Sequence, residues 1–204
     1  MTVRAWRLLA AVVAFFAFQA WWFVRETPTE RRLAAVATDI AQAEVEVRCP
    51  SIWRRLVEVS SFEGTAHYDE TGRPTHAELR HHVCKTFDRL AKRGFPEDVA
   101  CLDAIAPSCD GWVEEVARAV HVLSHEAWHL AGVVDEARTE CYAYQTDAAV
   151  AMRFGATHGA GDAIARHFLR AGPTHALPQY RPSSDCRAGG PQDLRPATPG
   201  WPSS

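Results

Sequence analysis

The stretch from Asp110 to Glu140 constrains the fold more than any other part of the chain. Val113, Val116, Val120, Leu123, Ala127 and Leu130 recur every three or four residues, which is the spacing of one buried helical face. On a neighbouring face stand His121, His125 and His129, each four residues after the last. Side chains four apart on a helix lie one above the other, so His125 and His129 can close on one metal ion. Glu126 then stands beside the first ligand, with its carboxylate directed at a water on that ion. Asp110 is placed to cap this helix, Glu114 and Glu115 suit its positive end, and Gly132 is placed to stop it. His121, one turn before the site, reads as a hydrogen-bonded histidine of the core or its polar edge.

Two histidines hold a metal weakly, and an open catalytic centre usually has three protein ligands. Asp135, Glu136 and Glu140 are the acidic candidates that follow, with Glu136 and Glu140 sharing one helical face. A second helix is expected from about Asp135 to Phe154, with Ala137, Cys141, Tyr144, Ala148 and Met152 on its inner stripe.

Elements flank this pair on both sides. Thr27-Pro28-Thr29-Glu30 has the form of a capping box with proline at the first helical position, and predicts a helix over about 28–43. Leu56 to Val59 and Thr65 to Asp69 suggest short strands, with turn chemistry at Thr71 to Pro74. Thr75-His76-Ala77-Glu78 looks like another capping box, opening a helix that Gly94 stops near Arg93; its first residues could instead be an edge strand. His81 and His82 diverge by about 100° on that helix and read as surface. A short helical piece through Ile105, a helix over Ala163–Leu169 after a break at Gly155 to Gly161, and an irregular Pro/Gly/Ser-rich tail complete the pattern. The fold class is α+β and mostly helical. It divides into an N-terminal membrane segment (1–24), a juxtamembrane helix or stalk (25–48), the main domain (49–172) and the tail (173–204).

Export is written at the start of the chain. Arg4 and Arg7 precede the seventeen residues Leu8 to Val24, whose only polar member is Gln19. This reads as an uncleaved signal-anchor with the domain outside the cytoplasm; secretion after signal cleavage is the alternative. The six cysteines all follow that segment, as three disulfides in an oxidising compartment would require, and Cys101 and Cys109 are close enough to pair locally. After Val24 the chain carries 20 Lys+Arg against 25 Asp+Glu, which argues against nucleic acid as a partner.

Val122 to Gln145, with His125-Glu126-Ala127-Trp128-His129 and Glu136-Ala137-Arg138-Thr139-Glu140, resembles the core of a small gluzincin, a zinc peptidase scaffold. That scaffold consists of an active-site helix, a glutamate helix and a short β-hairpin with an edge strand. The resemblance implies a Zn2+ cofactor held by His125, His129 and Glu136. It also implies Glu126 as general base, and Glu140 accepting a hydrogen bond from a metal-binding histidine. Asp135 would then cap the second helix. Two other sets stay open: His129-x-x-Gly132-x-x-Asp135 is similar to the snapalysin-like branch of the metzincins, and Glu140 could itself be the ligand. The implied activity is hydrolysis of a peptide or protein substrate held extended along the edge strand. Tyr142, Tyr144, His158 and His167 are candidates to stabilise the oxyanion. The alternative is a non-catalytic metal-binding or disulfide-bonded surface interaction module on the same scaffold. A disulfide at Cys141 is expected to pin the glutamate helix to the domain.

Overall fold

The computed structural model describes residues 6, 12–13, 26–50, 62–104, 109–175, 177–196 and 201. Five helices and a three-stranded sheet are built from them: α1 (Pro28–Ala41), β1 (Glu46–Arg48), β2 (Gly64–Tyr68), β3 (Pro74–Leu79), α2 (His81–Arg93), α3 (Gly111–Leu130), α4 (Glu136–Arg153) and α5 (His158–His175). The apolar segment expected over 8–24 lies outside the described residues apart from Val12 and Val13, as does the strand expected over Leu56–Val59. No helix of the described residues is long and apolar enough to cross a membrane.

α3 is the centre. Val116, Val120, Leu123 and Ala127 are buried as the spacing requires, and they pack against α1, α2, α4 and the sheet. Each of the valine and leucine side chains contributes about 1.5–3 kcal/mol when fully buried. Asp110 caps the helix by accepting from the amides of Trp112 and Val113. At the other end Gly132, at φ +89°, closes a Schellman turn: its N–H meets His129 O at 2.9 Å, and the Val133 N–H reaches Trp128 O at 3.1 Å.

The sheet order is β1–β3–β2, with β1 parallel and β2 antiparallel to β3. Pro74–Leu79 is therefore the central strand, neither the start of a helix nor an edge. The local capping signal loses to pairing on both sides: Thr75 Oγ1 donates to His67 O at 3.1 Å across the hairpin, and the helix begins only at His81, without a side-chain cap. β1 and β2 are the edges of the sheet among the described residues.

Three further expectations shift. The piece ending at Ile105 shrinks to a 3-10 turn at Ala100–Asp103. α5 starts at His158, not Ala163, because only Gly155 turns the chain, at φ +100°. Gly161 sits inside α5 against α4, where a Cβ would lie 2.9 Å from Ala148 O, so the missing side chain allows the helices to approach. The inner stripe of α4 is also rotated. Thr139, Glu140, Cys141, Ala143, Tyr144, Gln145 and Asp147 are buried, while Ala137, Ala148 and Met152 are half-buried.

Disulfides join Cys49–Cys84, Cys101–Cys109 and Cys141–Cys186. Three such bonds suit an oxidising, extracytoplasmic or secreted location. The third fastens the tail onto α4, where Gln145 also grips it: its Nε2 donates to Gln192 O (2.9 Å) and its Oε1 accepts from the Leu194 N–H (2.8 Å). What Cys141 secures is thus the tail, since α4 already packs against α3 and α5.

Candidate metal centre

Each candidate ligand is aimed by a separate device. His125 and His129 are stacked one turn apart on α3, and Glu136 opens α4, whose first turn is fixed by the Asp135 side chain accepting from the Arg138 N–H at 2.8 Å. Asp135 therefore serves as the cap. The Schellman turn folds the Val133 carbonyl back onto His129, which donates to it through Nδ1 at 2.7 Å. His125 donates through Nδ1 to Glu140 Oε2 at 2.9 Å. A carbonyl or carboxylate only accepts, so both Nδ1 atoms carry hydrogen and both Nε2 atoms face inward.

The three inward atoms form a triangle. His125 Nε2 lies 3.0 Å and His129 Nε2 3.2 Å from Glu136 Oε2, and the two nitrogens are 3.1 Å apart. Ligands at the usual 2.0–2.1 Å around a tetrahedral ion are separated by about 3.3 Å, so the triangle matches one tetrahedral face to within a few tenths of an ångström. These residues could hold a metal ion.

The electrostatics suit a cation. A hydrogen bond from His125 holds the Glu136 carboxyl below its ordinary range against partial burial. Burial opposes charge on His125, but hydrogen bonds to Glu136 and Glu140 and the field of Glu126 lift its pKa to about 9. His129 is depressed, by burial and then by the charge on His125.

Glu126 stands beside the triangle, buried. Burial raises its pKa to about 7; His125 opposes this, Glu136 adds to it, and a hydrogen bond from the Ala66 backbone partly offsets it. Its Oε2 has no hydrogen-bond partner among the described residues. Room for this carboxylate comes from Gly64, where a Cβ would stand 2.5 Å from Oε1. A single glycine opening a strand carried that signal in the sequence, although the strand was expected to begin at Thr65.

A cleft of about 350 Å³ opens over the centre, lined by the β2 residues Gly64, Thr65, Ala66 and Tyr68, by Phe62 and Val134, and by Gln179 and Tyr180 from the tail. No family model, curated protein or solved structure matches this chain. Its site is therefore read from geometry alone.

None of the four residues considered for an oxyanion lines this cleft. Tyr144 is buried behind Glu140, to which it donates at 3.0 Å; Tyr142 packs on Trp128; His167 bonds Leu102 O; His158 is exposed. Tyr68 and Tyr180 are the phenols at the mouth. Burial, followed by Glu136, Glu126 and Glu140, pushes the Tyr180 hydroxyl up to about 12, so it remains a donor at neutral pH. Its ring centroid is 5.7 Å from that of His125. The two are 55 positions apart in the chain, and only the folded tail brings them together.

His121 belongs to the interior. Its Nδ1 lies 2.9 Å from Asp147 Oδ2 and its Nε2 3.1 Å from Glu140 Oε1. Burial alone would keep it neutral, but Glu140 and Asp147 raise its pKa to about 10. The hydrogen-bonded core histidine expected from the sequence is what the structure contains.

Proposed function

We propose that this chain is an exported, membrane-tethered zinc peptidase. The observation that carries the reading is the tetrahedral face formed by His125, His129 and Glu136, with Glu126 Oε2, which has no hydrogen-bond partner among the described residues, beside it at the floor of an open cleft. Zinc suits two imidazoles and one carboxylate; when bound, it would lower the pKa of a water and polarise a carbonyl.

The chain's own residues then divide the work. Glu126, with a pKa near 7, accepts a proton from the attacking water and returns it to the departing amine. A purely structural metal site has no use for a base there. The peptide lies along the edge of β2 that is unpaired among the described residues, and its carbonyl is turned toward Tyr180 or Tyr68, whose hydroxyls donate to the oxygen as it gains charge. Phe62 and Val134, exposed at the mouth, offer contact to apolar substrate side chains. The tether rests on the apolar segment of residues 8–24, and export is supported by the three disulfides.

Hydrolysis of a mixed peptide library by the zinc-loaded full chain, beside Glu126→Gln, tests this reading. Cleavage by the wild type alone is expected. Zinc binding without cleavage of any peptide would leave a non-catalytic metal module.

A further inference from the structure

Behind the centre, on the side away from the cleft, a continuous chain of polar contacts runs into the core: Asp147 Oδ2 to His121 Nδ1 (2.9 Å), His121 Nε2 to Glu140 Oε1 (3.1 Å), and Glu140 Oε2 to His125 Nδ1 (2.9 Å). Two of its members have no place in the chemistry described above. We propose that His121 and Asp147 are positioning residues for the metal centre, acting through Glu140 to fix which nitrogen of His125 faces the ion; this rests on the reading of His125 as a ligand.

Glu140 Oε1 receives two donors, His121 Nε2 and the Tyr144 hydroxyl, the latter at 3.0 Å. With that oxygen committed, Oε2 is left to His125. Both partners of His121 are carboxylates, so its two nitrogens both donate, and the ring cannot turn over without losing both bonds. The ring plane is held as well: Phe168 stacks on it at 4.1 Å between centroids with an interplanar angle of 11°, and Tyr144 at 5.6 Å and 17°. Counted as charges, Asp147, His121 and Glu140 leave one net negative, placed on the group that faces the metal-ligating ring.

Asp147 is the observation that packing alone does not explain. It has 0% exposure, and its Oδ1 has no hydrogen-bond partner among the described residues. A buried carboxylate with an unpaired oxygen is costly, and an apolar side chain would serve a packing role without that cost. What Asp147 does provide is orientation of His121. The sequence gives the spacing its meaning: His121 is one turn before His125 on α3, and Asp147 lies seven residues after Glu140 on the facing helix.

The test is the zinc dissociation constant of the folded full chain, by competition with a chromogenic chelator, together with the visible spectrum of the cobalt-substituted protein. Wild type is compared with His121→Phe, which keeps the stacked ring and removes both nitrogens, with His121→Gln, whose amide can still donate to Glu140, and with Asp147→Asn. Outer partners of metal ligands typically alter affinity by about 10–100-fold. His121→Phe is expected to weaken zinc within that range and to shift the cobalt bands, His121→Gln to recover part of the loss, and Asp147→Asn to fall between. If either His121→Phe or Asp147→Asn folds with wild-type affinity and an unchanged cobalt spectrum, the proposal is wrong, even if its melting temperature drops. Should His121→Phe not fold, Asp147→Asn, which changes no volume, decides alone. A wild type that binds no zinc overturns this proposal and the metal reading together, whereas binding without hydrolysis touches only the peptidase.

Discussion

His125 and His129 present the same ring nitrogen to the same point from successive turns of α3, yet they are held in unlike ways. His129 is fixed by a backbone carbonyl four residues on, delivered by the turn that ends its own helix. His125 is fixed by a carboxylate from the next helix, which is itself fixed by groups still deeper in the core. The first device is local and neutral. The second needs α3, α4 and α5 to be packed, and it buries charge. A ligand held by the backbone is stable whenever the turn forms, whereas a ligand held through carboxylates can be tuned electrically and lost by a distant substitution.

The largest effect expected is on the side of the centre that neither device supports. Glu126→Gln is expected to lower kcat/KM by about 10²–10⁴ while metal content stays at the wild-type level. Gly64→Ala is expected to follow it, because the added methyl would meet the carboxylate. Parallel peptide-cleavage and metal assays check both, and a fully active Gly64→Ala would mean that Glu126 is not confined as described.

Two substitutions separate the two histidines. Glu140→Gln is expected to weaken metal binding about 10–100-fold. Gly132→Ala forces a left-handed residue with a Cβ at φ +89°, costing about 1–2 kcal/mol of stability. Its metal affinity is expected to change less, since the Val133 carbonyl returns whenever the turn closes. Equal losses of affinity in chelator titrations would erase the distinction between the two histidines.

Protons sharpen it further. The pKa of His125 is raised from an ordinary 6.5 to about 9, so the folded metal-free chain holds a proton there that the unfolded chain releases. That proton's contribution to stability is complete below 6.5 and is lost as pH rises through 9. A metal must displace it, so affinity should climb with pH up to about 9, with nearly one proton released from this ring at pH 7.5. His129 is depressed and has none to give in that range. Calorimetry in buffers of different ionisation enthalpy counts the protons; release of none would place His125 outside the metal's coordination.

These contrasts also mark where the sequence could be read and where it could not. The helix pair, the Asp110 and Asp135 caps, Gly132 and the grouping of His125, His129 and Glu136 are local patterns that the fold keeps. The Thr75–Glu78 capping box did not, because hydrogen bonds to strands on both sides outweigh one cap. Tyr180 was invisible for a related reason: its place at the cleft depends on a tail fastened by Cys141–Cys186 and by the grip of Gln145, which are contacts some fifty residues apart. Asp147 was invisible as well. On a helix read as packing through Ala148, nothing local turned Asp147 inward; the rotation of α4 did.

The proposed centre is one metal ion on His125, His129 and Glu136. Metal content of the folded full chain by mass spectrometry, wild type beside Glu136→Gln and Asp135→Asn, tests it most directly. About one zinc per chain in the wild type, lost in Glu136→Gln and kept in Asp135→Asn, is the result predicted. Zinc kept in Glu136→Gln and lost in Asp135→Asn, or no metal in a folded and unchelated wild type, would contradict it.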